Sequence, residues 1–235
     1  MLKRIKSKVR RIFLKSTGKV DHIKKDINCK HKRYGNIYGG FYVCPQFLNQ
    51  KSIIYSFGIG EDISFDKAII ENHNCQVFGF DPTPKSIIWI KNQNLPANFN
   101  FYDFGISNKS GFVEFYLPRN PEYISGSYII QKNVNIMDKI VVKMKSFEDI
   151  INELGHKHID ILKMDIEGAE YDVIDCILNT RIPINQFLIE FHERLFENGK
   201  VQTENVIEKL KSNGYGIFAI SDSFEEISFI KKNLL

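Results

Sequence analysis

The sequence predicts an α/β fold in which a mostly parallel sheet ends in an antiparallel hairpin. From about residue 51 onward, short apolar runs alternate with amphipathic stretches, a rhythm typical of a parallel sheet with helices on both faces. Near the C-terminus, two strand-like runs at 217–220 and 227–230 have only six residues between them. Parallel neighbours need a connection of about a dozen residues or more, so these two strands must be antiparallel. The length of 235 residues fits one such domain, or one domain with an extension.

Each element follows from a local pattern. Apolar and β-branched runs predict strands at 53–57, 75–80, 98–102, 159–164 and 187–191, with two further short strands at 112–117 and 140–145. Amphipathic stretches predict helices at 61–73, 84–93, 146–154, 168–179 and 201–213. Ser146 is expected to cap the third of these helices, with Asp149 as the acid of a capping box, and Gly214 to end the last one. A polar loop that contains 125–127 separates the two further strands, and a long loop in a compact domain is often functional.

The composition limits the class of protein. A hydrophobic share of 43% and an aromatic share of 13% exclude a disordered chain, a collagen or an all-helical coiled coil. No apolar run reaches the ~18–20 residues that a membrane-spanning helix requires. The cysteines are scattered and form no C-x-x-C pair, which predicts reduced thiols in a cytoplasmic protein, and neither a disulfide framework nor a zinc site. They are Cys29, Cys44, Cys75 and Cys176.

Charge divides the chain into two parts. Residues 1–33 contain thirteen Lys or Arg against Asp21 and Asp26, a local net charge of +11. Since the whole chain carries +4, the remaining 202 residues sum to −7. We therefore expect a basic amphipathic extension over 1–33 and a mildly acidic domain over 34–235.

The first residues of the extension have the pattern of a surface-binding helix. Apolar side chains recur at helical spacing between basic ones; they are Leu2, Ile5, Val9, Ile12 and Phe13. Such a stripe suits an anionic membrane surface, where each Lys or Arg is worth ~1 kcal/mol, and it predicts peripheral contact with the inner face of the membrane. The alternative is a helix that packs on the domain with its lysines solvated. Nucleic acid is not expected as a partner, because the basic residues are not interleaved with aromatic ones and the rest of the chain is acidic.

A turn with two glycines follows the first strand of the predicted sheet. Gly58 and Gly60 allow a tight turn and a close approach of a ligand to the backbone. A dinucleotide fingerprint has a third glycine three residues later, where this chain has Ile63, so a packing turn is the alternative. Asp81 lies 21 residues after Gly60, at the end of the next strand, where an acid binds the hydroxyls of a ribose in NAD or in S-adenosylmethionine. The other interpretation of Asp81 is an aspartate that opens the turn before Pro82.

Acidic side chains follow two later strands of the predicted sheet. Asp165 and Glu167 come directly after the fourth strand, and Glu190 and His192 lie at the end of the next. Ligands bind at the carboxyl ends of strands in open α/β sheets, and carboxylates that converge there can hold a substrate hydroxyl, a metal ion or a cationic cofactor. Glu190 and His192 alternate with apolar neighbours, so both side chains are expected on one face. The pair beside a second group of acids favours catalysis over a structural histidine.

Four stretches carry a resemblance to a known family. They are 55–62, 77–84, 162–170 and 188–192, and among them the run Asp-Ile-Glu-Gly-Ala-Glu followed by Glu-Phe-His is the specific part. In this order they resemble the FkbM family of S-adenosylmethionine-dependent methyltransferases, over roughly residues 50–232. The resemblance implies a Rossmann-like class I methyltransferase fold for 34–235, whose seven-stranded, mostly parallel sheet ends in an antiparallel hairpin. Asp62 replaces the usual third glycine of the turn, and the extension lies outside the resemblance.

The resemblance also implies which residues bind S-adenosylmethionine as the cofactor. They are Phe57, Gly58, Gly60, Glu61 and Asp62 around the methionine portion, Asp81 at the ribose, Asp103, Phe104 and Gly105 beside the adenine, and Asp165 between the cofactor and the acceptor. We expect O-methyl transfer to a sugar hydroxyl of a glycan or glycolipid precursor, as in polysaccharide biosynthesis. His192 or Asp165 is expected to remove the hydroxyl proton, with Glu190 orienting His192, and no metal ion is assigned to the site.

Two other functions share part of this pattern. A Rossmann-fold reductase that uses NAD(P) would have the same glycine turn and Asp81, but the missing third glycine and the antiparallel hairpin argue against it. A membrane-surface binding protein that kept the fold and lost the chemistry would explain the basic extension and the departure at Asp62.

Overall fold

The computed structural model describes residues 11–120, 122–123 and 125–235 of the chain. The predicted apolar positions Leu2, Ile5 and Val9 lie outside these residues. In the described part of the chain, no helix combines the length and the apolar character needed to cross a bilayer.

The described elements alternate along the chain as the sequence predicts. The strands are β1 (Lys32–Tyr34), β2 (Phe41–Val43), β3 (Ile53–Phe57), β4 (Gln76–Phe80), β5 (Phe99–Tyr102), β6 (Gly105–Ile106), β7 (Gly111–Pro118), β8 (Val134–Lys145), β9 (Ile159–Met164), β10 (Ile184–Glu190), β11 (Tyr215–Ile220) and β12 (Glu226–Lys231). The helices are α1 (Ser64–His73), α2 (Pro84–Lys91), α3 (Phe147–Leu154), α4 (Glu170–Asn179) and α5 (Gly199–Ser212). Residues 11–16 are also helical.

The central sheet has seven strands in the order β11-β12-β10-β9-β3-β4-β5. The strands from β10 to β5 pair in parallel, whereas β12 is antiparallel to both of its neighbours. The predicted fold, a mostly parallel seven-stranded sheet with a C-terminal antiparallel hairpin, is confirmed. The carboxyl ends of β3, β4, β9 and β10 therefore share one edge, which we call the carboxyl edge.

Apolar side chains cover both faces of this sheet. In β3, Ile54 belongs to an apolar cluster with α1, whereas its neighbour Tyr55 belongs to another with α3, α4 and α5. Adjacent residues of a strand point to opposite faces, and here both faces are buried, so the strands read as continuous apolar runs. Phe57 and Phe80 stack at the end of β3 and β4, with ring centroids 4.5 Å apart, and make the carboxyl edge rigid.

A second, smaller sheet lies beside the carboxyl edge. It has the order β6-β8-β7, and the two strands of its long hairpin are antiparallel. The sequence predicts β7 and the second half of β8, but β8 starts at Val134 and is twelve residues long. After β8, Ser146 caps α3 as predicted, since its Oγ accepts a hydrogen bond from the backbone N–H of Asp149 at 3.2 Å.

Residues 20–27 of the N-terminal extension pack on the domain. Val20 and Ile23 are buried in the same apolar cluster as α4 and α5. The backbone N–H groups of Asp26 and Ile27 both donate to the carbonyl oxygen of Ile217 in β11, at 3.0 Å each. Strand β1 crosses the predicted boundary between 33 and 34, so the chain passes from extension to domain without an intervening linker.

Candidate active site

A cavity of about 320 Å³ opens at the carboxyl edge. Its walls come from the turns after β3, β4 and β9, the end of β10, and the loop between β7 and β8. The predicted site residues that line it are Phe57, Gly58, Gly60, Glu61, Asp62, Asp81, Gly105, Asp165 and Glu190. The structure therefore brings residues from five separate stretches of the chain to one cavity.

The glycine turn and the turn after β9 are in direct backbone contact. Gly58 has φ +80°, and a Cβ atom there would lie 1.7 Å from the carbonyl oxygen of Asp165. Only glycine fits such an approach. At Gly60, φ is +55° and no protein atom lies within 4 Å of a Cβ position, so the space beside it is open. Gly58 therefore serves packing, whereas Gly60 leaves room for a ligand.

Asp81 fixes the turn before Pro82, one of the two roles that the sequence allows, and it also lines the cavity. Its Oδ1 accepts hydrogen bonds from the backbone N–H of Thr83 at 2.9 Å and from the Thr83 hydroxyl at 2.6 Å, which fixes the turn after β4. Its Oδ2 accepts a bond from the backbone N–H of Gly60 at 2.8 Å. The side chain lines the cavity although the residue is only 5% exposed. Asp81 thus joins the two turns and still presents a carboxylate to a ligand.

Asp62, which replaces the third glycine, ties a neighbouring loop to the glycine turn. One oxygen accepts from the backbone N–H of Ser64 at 2.8 Å, and the other accepts from the side-chain amide of Asn36 at 2.7 Å. The Asn36 side chain in turn accepts bonds from the backbone N–H groups of Tyr38 and Gly39. Tyr38 consequently lies at the rim of the cavity. The sequence prediction missed this loop, although Gly35, Asn36, Gly39 and Gly40 are residues typical of tight turns.

The turn after β9 is strained in a way that is common at functional sites. Glu167 has φ +54°, a left-handed conformation that non-glycine residues seldom adopt. Gly168 follows with φ +98°, and a Cβ atom there would lie 2.5 Å from the Phe196 ring. Glu170, which is fully buried, stabilises this turn by accepting a bond from the Gly168 N–H at 2.9 Å. As a result, Glu167 joins Asp165 on the cavity wall.

His192 lies beneath the cavity and is enclosed by carboxylates. It is 1% exposed and is absent from the lining. Its Nδ1 is 3.1 Å from an oxygen of Glu170, which also accepts a bond from the His192 backbone N–H at 2.8 Å. Its Nε2 is 3.5 Å from Glu167 and 3.7 Å from both Asp165 and Glu190. The structure confirms that Asp165, Glu190 and His192 are brought together.

This arrangement argues against the predicted role of His192 as a general base. Burial alone would lower the pKa of the imidazole, but the surrounding carboxylates, Glu170 foremost, raise it to about 10. A protonated ring has no lone pair with which to accept a proton at neutral pH. Burial, and then the charge of Asp165, raise the pKa of Glu190 to about 9, while burial also raises the pKa of Glu167. The cluster therefore favours any cation placed within it.

Asp103 and Phe104 do not line the cavity, contrary to the prediction for the adenine site. Phe104 is buried against Phe80, with centroids 5.5 Å apart, and Lys145 covers its ring at 4.3 Å. Asp103 is exposed to solvent. The reason is that the chain turns back after β5 so that β6 can pair with β8, and this brings Gly105 to the wall instead. Apolar residues line this side of the cavity: Pro82, Ile106 and Met144.

The loop between β7 and β8 forms the wall opposite the glycine turn. Ser125, Gly126 and Tyr128 line the cavity from this loop. The Tyr128 hydroxyl donates to Asp172 of α4 at 2.8 Å, and Ser127 pairs with Tyr116 of β7 through two backbone hydrogen bonds. These contacts tie this part of the loop to α4 and to β7.

The sheet order, the terminal hairpin and the ligand cavity at the carboxyl edge define a class I methyltransferase fold. A fibrillarin pre-rRNA processing protein from Methanococcus jannaschii has a similar structure, with a TM-score of 0.50 and 13% sequence identity over 89% of this chain and 86% of that chain. The chain belongs to the FkbM methyltransferase family, because the model of the methyltransferase FkbM domain matches residues 56–217. The predicted family is confirmed.

Two curated proteins are similar to this chain in sequence. The probable methyltransferase-like protein 24 of Homo sapiens is 26% identical over 154 residues, which cover 65% of this chain and 36% of that protein. The 2-O-methyltransferase NoeI of Sinorhizobium fredii is 25% identical over 151 residues, which cover 58% of this chain and 62% of NoeI. The match thus spans about a third of the human protein and less than two thirds of NoeI.

The cofactor that this membership assigns to the cavity is S-adenosylmethionine, and the residues present fit it. The open space at Gly60 admits a ligand against the backbone. Asp81 offers a carboxylate to ribose hydroxyls, and the acids of the β9 turn suit a sulfonium cation. A dinucleotide would instead place its anionic pyrophosphate against Glu61 and Asp62, which disfavours the NAD(P) alternative.

Proposed function

We propose that this protein transfers a methyl group from S-adenosylmethionine to a hydroxyl oxygen of a polyhydroxylated acceptor. The observation that carries the proposal is the row of carboxylates on the cavity wall beside the glycine turn, made by Asp165, Glu167 and Glu190. Carboxylates accept hydrogen bonds from hydroxyl groups, and one of them can accept the proton that the hydroxyl loses. The name of the relative NoeI, a 2-O-methyltransferase, supports oxygen as the methylated atom.

Different residues of this chain would bind the cofactor and the acceptor. The bound cofactor supplies a methyl group on a positively charged sulfur. The glycine turn and Asp81 hold it, and the backbone contact between Gly58 and Asp165 fixes the distance from this turn to the acidic wall. Asp165 and Glu190 orient the acceptor hydroxyl, an alignment that can lower the barrier by several kcal/mol, about 7–11 at the upper end.

Glu167 is the residue that we assign to the proton. Its carboxylate lies on the wall, and the left-handed backbone at this position holds it there. As the hydroxyl oxygen bonds to the methyl carbon and the carbon–sulfur bond breaks, the sulfur becomes neutral and the proton passes to Glu167. Glu167→Gln should therefore lower turnover by ~10²-fold or more while the affinity for S-adenosylmethionine changes little.

A sugar hydroxyl is the acceptor that we favour. Several carboxylates on one wall suit a molecule with several neighbouring hydroxyl groups, and Tyr38 lies at the rim with 71% of its surface exposed. An aromatic ring in this place can pack against the apolar face of a sugar ring. A glycan or glycolipid precursor meets both conditions, whereas a phenol or a simple carboxylic acid lacks the set of neighbouring hydroxyl groups.

Transfer of an isotopically labelled methyl group tests the proposal. The purified chain is incubated with labelled S-adenosylmethionine and matched sets of oligosaccharides, phenols and carboxylic acids, and the products are analysed by mass spectrometry. We expect label on a sugar oxygen. Label confined to phenols would contradict the choice of acceptor. No transfer to any set, together with absent cofactor binding by calorimetry, would favour a binding protein that has lost the chemistry.

We also propose that the extension contacts an anionic membrane surface. Ile12 and Phe13, two members of the predicted apolar stripe, are 68% and 59% exposed. Ile12→Ser with Phe13→Ser should reduce co-sedimentation with phosphatidylserine vesicles, because burial of apolar area in the headgroup region is lost. Val201→Ser, at an exposed apolar position of α5, is the matched control and should not reduce it. Equal sedimentation of both variants would refute the membrane contact.

A further inference from the structure

Three side chains at the carboxyl edge bring donor atoms close together. A carboxylate oxygen of Asp165, a carboxylate oxygen of Glu190 and a ring nitrogen of His192 all lie within 4.8 Å of one another. Asp165 follows β9 and Glu190 ends β10, and these strands pair in parallel with Met164 opposite Ile189. The spacing of the donors is therefore set by the backbone of two central strands and not by a flexible loop.

The two ring nitrogens of His192 give evidence for a metal site that is independent of the acidic residues. Since the Glu170 carboxylate only accepts, its 3.1 Å contact places a hydrogen on Nδ1, and Nε2 faces Asp165, Glu167 and Glu190. A divalent cation that bound at Nε2 would displace the proton that this nitrogen carries in the ion-free protein. Among the described residues, Nε2 makes no hydrogen bond, and the nearest oxygens are 3.5–3.7 Å away. Donor atoms that bind one ion at about 2.0–2.2 Å each lie about 3–4 Å apart. The distances of 3.7 Å from Nε2 to Asp165 and to Glu190 therefore leave room for an ion.

The hydrogen bond that holds the His192 ring is of the kind made by metal-binding histidines. Histidines that bind metals commonly donate the other ring N–H to a carboxylate, which fixes the ring and its tautomer. Glu170 does this here, and it is itself held by the backbone N–H groups of Gly168 and His192. Glu170 is fully buried, and the hydrogen bonds it makes within the described part of the chain go to His192 and to the turn after β9.

We propose that Asp165, Glu190 and His192 bind a divalent transition-metal ion. One imidazole with two carboxylates favours ions that accept both nitrogen and oxygen ligands, such as Mn²⁺, over Mg²⁺, which prefers oxygen alone. The adjacent Glu167 adds negative charge and remains free to act on a proton. The remaining coordination positions face the cavity, where Asp165 and Glu190 form part of the wall.

This site deepens the proposed function and, in its catalytic role, rests on it. A hydroxyl oxygen of the acceptor bound to the ion would lose its proton more readily, because a divalent cation stabilises the alkoxide. Two neighbouring hydroxyls of one sugar could bind the ion together, which would select a vicinal diol. The ion would then fix the acceptor while the glycine turn fixes the methyl donor.

Binding of Mn²⁺ to the full-length chain, in the absence of cofactor and acceptor, tests the site directly. Calorimetry gives the affinity, and pulsed electron paramagnetic resonance shows whether a ¹⁴N nucleus is coupled to the ion, as ligation by His192 requires. We expect binding tighter than about 1 mM with nitrogen coupling. Weaker binding, or binding without nitrogen coupling, would overturn the proposal.

Matched variants locate the ion. Glu190→Gln and Asp165→Asn, near-isosteric changes at partly exposed side chains, should each weaken Mn²⁺ binding by at least tenfold (~100-fold expected), while Glu170→Gln should weaken it by ~10–100-fold through the orientation of His192. The control is Glu226→Gln, which removes a charge directly opposite Glu190 in the β10–β12 pair without removing a donor. An effect of Glu226→Gln as large as that of Glu190→Gln would show general electrostatic attraction and overturn the assignment.

The failure of this site and that of the methyltransferase proposal are distinguishable. Mn²⁺ binding with nitrogen coupling in a chain that transfers no methyl group would sustain the site and contradict the proposed reaction. Undiminished methyl transfer after treatment with a chelator, in a chain that does not bind Mn²⁺, would sustain the reaction and overturn the site.

Discussion

The two ends of strand β9 carry the same kinds of residue in opposite surroundings. Asp165 follows its carboxyl end and lies beside His192, whereas Asp160 lies near its amino end, four residues after His156. At the carboxyl end, the aspartate lines a cavity. At the amino end, Asp160 accepts bonds from the backbone N–H of Ile53 at 2.9 Å and from the Asn185 amide at 3.0 Å. One aspartate lines the cavity beside His192, and the other joins strands.

His156, near the amino end of β9, and His192, at the carboxyl edge, also differ in their surroundings. His156 is hydrogen-bonded through Nδ1 to the Tyr55 hydroxyl at 2.7 Å and packs edge-on against Phe78, with centroids 4.6 Å apart. Burial, and then the charge of His158, lower its pKa, whereas carboxylates raise that of His192. An aromatic enclosure thus keeps one imidazole neutral, and an acidic enclosure holds a cation on the other. The surroundings, not the residue type, decide which end of the sheet carries chemistry.

The largest expected effect is the loss of cofactor binding when Gly60, at the carboxyl edge, is replaced. Gly155, near the amino end of β9, provides the comparison. Gly60→Val should abolish binding of S-adenosylmethionine, because the side chain would enter the open space at the turn. Gly155→Val is the control: Gly155 also has a positive φ, +72°, with no atom within 4 Å of a Cβ position, but lies next to His156. Both variants carry backbone strain of about 1–2 kcal/mol. Calorimetric titration should show loss of binding only for Gly60→Val; loss in both would mean that strain, not the cavity, is responsible.

The two aspartates of β9 give the next effect. Asp165→Asn should lower turnover by ~10²-fold or more, because a charged group that positions the acceptor is lost. Asp160→Asn should leave turnover unchanged and reduce the free energy of unfolding by about 1–3 kcal/mol, since hydrogen bonds to a charged group are weakened. Steady-state rates and urea unfolding of both variants decide the matter. Reduced turnover in folded Asp160→Asn protein would erase the distinction between the two ends.

A smaller effect is expected at Asp81. Asp81→Ala should weaken binding of S-adenosylmethionine by about 1.5–3 kcal/mol, since hydrogen bonds to a charged group are lost. Because Asp81 also holds Gly60 and Thr83, Asp81→Asn separates the two contributions: it keeps an acceptor for the turn and loses the charge. Calorimetry on both variants, with the unfolding free energy as the check on the turn, should show intermediate affinity for Asp81→Asn. Unchanged affinity in both would limit Asp81 to the turn.

The smallest effect is the pH dependence of stability that His156 produces. Its pKa is lower in the folded than in the unfolded chain, where the ordinary value is 6.5. Below pH 6.5 the unfolded chain binds a proton that the folded chain resists, so this contribution to stability is present above that pH and is lost as the pH falls. His156→Phe should make the urea midpoint fall less between pH 7 and pH 5 than in the wild type. An equally steep fall would place the acid sensitivity elsewhere.

The central sheet could be predicted because its pattern is strong. Strands buried on both faces, such as β3 and β9, form continuous apolar runs, and the short gap before β12 forces an antiparallel turn. The hairpin of β1 and β2 was missed because strands of three residues carry too little pattern. The first half of β8 is largely exposed, with Met137 at 90%, so it lacks the alternation that marks a half-buried strand.

The site could be predicted only where strand ends determine it. Asp165 and Glu190 follow parallel neighbours, and the carboxyl ends of such strands must meet. Tyr38 and Tyr128 reach the cavity through loops, whose closure depends on distant contacts such as the bond between Tyr128 and Asp172. The charge state of His192 could not be predicted from the sequence either, because it depends on four carboxylates that come together only in the folded chain.

The contact between the extension and β11 bears on the behaviour of the protein at high concentration. β11 is the outermost strand of the sheet, and an exposed strand edge is a template on which another molecule can add a strand. Asp26 and Ile27 occupy the carbonyl of Ile217 on that edge, and Gly216 permits the approach, since a Cβ atom there would lie 2.3 Å from the Ile27 side chain. Removal of 1–33 would uncover the edge, and we expect such a chain to self-associate through β11.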